Sequence, residues 1–102
     1  MFKRISFLGS LLMSLATLAQ TDINDARSNF SIGQTVTIKG VASDGGELGP
    51  IRYIQDATGG LPVYGGAQVS GINRGDSVIV TGELKDFSGL LEIDPITNVV
   101  NE

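Results

Sequence analysis

From Gln34 onward the chain alternates between apolar and polar positions. Val36, Ile38 and Ala42 fall on one side, Thr37 and Lys39 on the other, with Gly40 between them; a period of two marks a half-buried strand. Ser43 to Pro50, holding Gly45, Gly46 and Gly49, reads as a flexible loop. A second strand follows from Ile51 to Asp56, and the chain returns through Leu61, Val63 and Tyr64 after a turn. In that turn the Asp56 carboxylate is expected to accept backbone N–H groups, with Gly59 and Gly60 supplying positive φ. If Ile54, Leu61 and Val63 face a core, strict alternation puts Tyr53 and Tyr64 outward on one hairpin.

Gly65 to Gly75 carries Ala67, Val69 and Ile72, but Gly71 interrupts them, so an irregular link with at most one helical turn is predicted. Ser77 to Leu84 then repeats the first strand: Val78-Ile79-Val80-Thr81-Gly82 answers Val36-Thr37-Ile38-Lys39-Gly40. In each, the glycine suits a strand that coils tightly. Lys85 to Gly89 is expected as a hairpin and Leu90 to Asp94 as a fifth strand, ended by Pro95, with a short extension from Ile96 to Val100.

The residues ahead of the alternation behave differently. Lys3 and Arg4 precede a mainly apolar run from Ile5 to Leu18, and Thr17 and Ala19 offer the small side chains a signal peptidase requires. The run is too short to span a bilayer, so residues 1–19 are expected to be a cleaved signal peptide, with no stable membrane insertion afterwards. Export to the periplasm or the extracellular space follows. Residues 20–33 are polar and read as a linker, or as a short turn of helix capped by Asp22 or Asp25. Their spacing lacks the alternating oxygen ligands of a calcium loop. Residues 34–102 form the domain.

Charge and composition narrow the function. Removing Lys3 and Arg4 from the seven basic residues leaves five against eleven acidic ones, a net charge of −6. Arg27, Lys39, Arg52, Arg74 and Lys85 are scattered singly, so any nucleic-acid binding must rest on stacking or a local patch, not on bulk charge. The chain has no cysteine, and the roughly 83 residues after Ala19 are few for a self-sufficient core. Closing a sheet on itself is one solution.

Tyr53-Ile54-Gln55-Asp56-Ala57-Thr58-Gly59-Gly60-Leu61-Pro62-Val63-Tyr64, followed by Gly75-Asp76-Ser77-Val78-Ile79-Val80-Thr81-Gly82-Glu83-Leu84, resembles the secreted bacterial OB-fold domains. The likeness runs from Thr35 to Ile93. It implies an all-β fold, a five-stranded Greek-key barrel whose helix between strands three and four is reduced or absent. It also implies a ligand face across strands two and three, flanked by the loops joining strands one to two and four to five. On this chain that face holds Tyr53, Gln55 and Tyr64, flanked by Asp44 and Glu47 on one side and by Lys85 and Phe87 on the other. Single-stranded nucleic acid is the leading ligand class, with an oligosaccharide or a protein partner behind it. The alternative is a structural or protein-interaction domain of a larger secreted protein, since related domains occur beside nuclease and other modules. The two tyrosines equally suit a cross-strand pair that stabilises the hairpin, and Phe87 suits a plug for the barrel end.

No His and no Cys are present, which removes the usual proton shuttle, thiolate and zinc ligands. Asp56 and Asp76 fall at turns, where capping backbone donors is the ordinary role. No catalytic residue, metal site or cofactor is therefore expected, and the chain is read as a binding module rather than an enzyme. Arg74-Gly75-Asp76 spells an integrin-binding tripeptide, but its Gly-Asp is already accounted for as the entry to the fourth strand.

Overall fold

The computed structural model describes residues 19–102; apart from Ala19, the expected signal peptide lies outside them. The elements run α1 (Ile23–Asn29), β1 (Thr35–Ala42), β2 (Ile51–Gln55), β3 (Gly60–Tyr64), α2 (Ala67–Ser70), β4 (Ser77–Phe87) and β5 (Leu90–Asn101), with a 3₁₀ turn at Gly46–Leu48 in the first loop. The strands close into a barrel in the order β1-β2-β3-β5-β4. Antiparallel pairing joins every neighbouring pair except β3 and β5, which meet in parallel at Val63 and Ile93. This is the five-stranded Greek-key barrel of the OB-fold, and α2 is the single turn that the glycines around it allow.

Alternation builds the core. Ile38, Ile54, Leu61, Val63, Val78, Val80 and Ile93 are fully buried and Val36 and Leu84 nearly so, all on the inward face of their strands. Two glycines let the sheet close. A Cβ on Gly40 would lie 2.5 Å from the Gln55 carbonyl oxygen, where β1 passes from β4 to β2. A Cβ on Gly82 would lie 2.4 Å from that of Pro95, at the register shifts between β4 and β5. Both positions exclude any side chain, as the repeated Val-x-Ile/Val-x-Gly pattern implies.

The structure departs from sequence expectation in several places. Of the two readings of residues 20–33, a free linker or a short turn of helix, the helix is the one present, and it is packed rather than free. Helix α1 sits on the barrel with Ile23 and Ala26 fully buried and Phe30 packed against the core, because apolar positions recur at the i, i+3, i+7 spacing of one helix face. Asp22 makes no side-chain cap; the cap comes from the β2–β3 turn, where Asp56 Oδ2 accepts from Ile23 N at 3.0 Å and Thr58 Oγ1 from Asn24 N at 3.0 Å. Gly59 and Gly60 are not among the glycines with positive φ, since Asp56 Oδ1 closes the turn by accepting from Thr58 N at 2.8 Å and Gly59 N at 3.1 Å. Finally, β5 continues past Pro95 to Asn101; Pro95 lies at the register shift, where its missing N–H interrupts no ladder bond.

The β4–β5 hairpin is tighter than expected. Phe87 pairs with Leu90, leaving Ser88 and Gly89 as a two-residue turn, both with positive φ, the geometry that suits strand twist. Arg52, a charged residue only 2% exposed, lies on the inward phase of β2. Its guanidinium donates to the carbonyls of Ile72 at 2.9 Å, Gly49 at 2.7 Å and Ile51 at 2.9 Å. It thereby ties the first loop and the segment after α2 to the sheet.

Candidate binding face

The outward face of the barrel is set by the other phase of the same strands. Ile51, Tyr53 and Gln55 on β2, Tyr64 on β3, Lys85 and Phe87 on β4, and Leu90, Glu92 and Asp94 on β5 all alternate away from the core. Tyr53 lies opposite Pro62 and Tyr64 opposite Ile51, so the tyrosines are diagonal neighbours about 7–8 Å apart between Cα atoms rather than a directly facing pair. Tyr53 is 38% exposed, Tyr64 41% and Phe87 58%. At that exposure Phe87 is no plug; it stands beside the hairpin turn, opposite Leu90.

Three of the five expected site residues meet in one place. Tyr64, Lys85 and Phe87 line a cleft of about 220 Å³ together with Ile51, Leu90, Glu92 and Asp94. Tyr53 and Gln55 share the outward face but do not line the cleft. Sequence reasoning missed Glu92. In phase with Lys85, its cross-strand partner, it reads as a solvated strand residue, yet it is 2% exposed because the cleft walls cover it. Lys85 Nζ pairs instead with Asp94 Oδ2 at 3.3 Å, and no salt bridge or side-chain hydrogen bond reaches the Glu92 carboxylate among the described residues.

Burial first, and then the charge of Asp94, push the Glu92 carboxyl above its ordinary value, with Lys85 acting in the opposite direction. A carboxyl raised on folding binds its proton more tightly in the native state, so stability is full below the unfolded-state value near 4.5 and falls as pH rises through the native one. Glu92→Gln is therefore expected to melt higher than the wild type at pH 7 and to match it well below pH 4.5. Thermal denaturation at the two pH values checks this; equal melting at pH 7 would show that the carboxylate carries no penalty.

The first loop is committed to structure. Asp44 is 7% exposed and accepts from Tyr53 N at 2.9 Å, holding the loop to β2. Glu47 pairs with Arg74. Hydrogen bonds from its own N–H and from Gly45, and then the Arg74 charge, hold the Glu47 carboxyl below the usual range against a smaller cost of burial. The Arg74-Gly75-Asp76 tripeptide is likewise engaged. Arg74 also donates to the Ser43 carbonyl at 2.5 Å, and Asp76 accepts from Asn73 N at 2.8 Å and Asn101 Nδ2 at 2.9 Å.

No protein-family model matches the chain. It is similar to the protein named endonuclease YhcR of Bacillus subtilis (strain 168), with 37% identity over 84 residues that cover 74% of this chain. The chain spans only 7% of that relative's length. Among solved structures it resembles the hypothetical protein ygiW from E. coli, with a TM-score of 0.66 at 19% identity, covering 84% of this chain and 90% of that one. The two share a fold. Among the described residues, no helix is long and apolar enough to cross a membrane.

Proposed function

We propose that this chain is an exported binding module that takes single-stranded nucleic acid across the outward face of β2, β3 and the β4–β5 hairpin, by stacking more than by phosphate contact, with no chemistry of its own. The observation that carries the reading is the exposure of three aromatic rings, Tyr53, Tyr64 and Phe87, on that face. Every base offers a π-face to such rings, and OB-folds use this side of the barrel for oligomers. Similarity to part of a protein named as an endonuclease supports the same class. Lys85 is already paired with Asp94, so few counterions are released on binding and the salt dependence is expected to be shallow.

In a titration of labelled single-stranded DNA and RNA at low salt, Tyr53→Ala and Tyr64→Ala are each expected to weaken binding by roughly 5- to 150-fold, the loss of one stacked base. Absence of binding tighter than millimolar by the wild type, with its circular dichroism intact, would overturn the reading. One observation favours a second reading. The match to a small fraction of a much longer relative suits a domain that packs against neighbouring modules, for which exposed Leu48, Phe87 and Leu90 offer apolar contact.

A further inference from the structure

We infer that, on the single-strand reading above, the cleft between Tyr64 and the β4–β5 hairpin is a subsite for one guanine base, received by the Glu92 carboxylate. The cleft holds about 220 Å³, below the roughly 300 to 1,000 Å³ of pockets for drug-sized ligands, which suits one flat ring system. Ile51, Tyr64, Phe87 and Leu90 supply apolar and aromatic walls. The polar content is then Lys85 and Asp94, which satisfy each other, and Glu92, which is covered and without a partner among the described residues.

A covered carboxylate accepts hydrogen bonds and donates none when ionised, and leaving it unmet is costly. Its natural complement is a guest with two donors side by side. Among the nucleobases only guanine has that edge, in N1–H next to the N2 amino group. Cytosine and adenine set one donor beside a ring nitrogen acceptor, and thymine or uracil flanks its single N–H with carbonyl oxygens that would face the carboxylate. An arginine side chain also offers paired donors; guanine is the occupant that follows from the single-strand reading, and arginine is left as an outcome of the test.

The test compares a labelled strand of about twelve thymidines with the same strand carrying one central guanine, in wild type and Glu92→Gln, by fluorescence anisotropy. Guanosine, adenosine, cytidine and uridine are titrated separately while the Tyr64 and Phe87 ring signals are followed by NMR. The guanine strand is expected to bind the wild type about tenfold more tightly, as one bidentate base contact provides, and the ratio to fall toward one in Glu92→Gln. Equal binding of both strands by the wild type would overturn the guanine subsite and leave the single-strand module standing. Guanosine binding with no strand binding would support the pocket and overturn the strand reading. Displacement of guanosine by N-acetylarginine amide, with tighter binding of the latter, would overturn the inference in favour of a protein partner.

Discussion

Arg52→Met is expected to destabilise the fold by about 3 kcal/mol and to lower the melting temperature by roughly 12 to 24 °C. Methionine can fill much of the space taken by the arginine stem, but it cannot donate to the Ile72, Gly49 and Ile51 carbonyls that the guanidinium reaches. Charge-assisted hydrogen bonds of this kind contribute about 1.5 to 3 kcal/mol each, and carbonyls left unmet in the interior add a penalty. Arg52→Lys keeps the charge but not the planar fork, so it should fall between the two. Thermal and urea denaturation of the three proteins measure the effect. A methionine variant that melts within a few degrees of wild type would show that water serves those carbonyls equally well.

Asp56→Ala is expected to cost about 2 kcal/mol, or roughly 8 to 16 °C of melting temperature, and to expose α1 before the barrel opens. One carboxylate accepts from Thr58 and Gly59 within the turn and from Ile23 at the start of the helix. Hydrogen exchange should therefore report faster exchange across Ile23–Asn29 than in β1 to β5. Asp56→Asn can keep the acceptor facing the turn while presenting an amide N–H₂ to Ile23 N, which isolates the helix link from the turn. Burial alone would raise this carboxyl, but the hydrogen bonds from Thr58, Ile23 and Gly59 outweigh it and hold it below the ordinary value of 3.8. The stability it provides is present above that value and is lost as pH falls through the depressed native one. The alanine variant should lack that part of the acid sensitivity. Unchanged exchange in α1 would mean that packing of Ile23 and Ala26 alone holds the helix.

What could be read in advance was whatever strand alternation controls. The period of two in β1 and β2 gave the inward and outward faces, placed both tyrosines outside, and with the two Val-x-Ile/Val-x-Gly segments gave a coiled barrel. Arg52 obeys the same rule, because the phase that buries Ile54 also buries the residue two before it, but its charge made it read as one of the scattered basic residues. Glu92 was not, since its burial depends on walls contributed by three other strands. A short helix was legible in residues 20–33, but its docking was not: seven residues with one isoleucine and one alanine look like solvent-facing chain, and the capping partner lies more than thirty positions away. Pro95 misled because a strand can accept proline where its register slips. The candidate face was therefore visible as a set of outward residues, while the cleft within it required the pairing of β3 with β5.

Capping of α1 from the β2–β3 turn also orders events in time. A helix of seven residues has too few turns to stand alone in water, and its acceptors at Asp56 and Thr58 lie 33 and 34 residues downstream of the N–H groups they receive. As the chain leaves a ribosome, α1 has no capping partner until the hairpin turn has emerged. The N-terminal helix is thus locked in place by a part of the chain that arrives later.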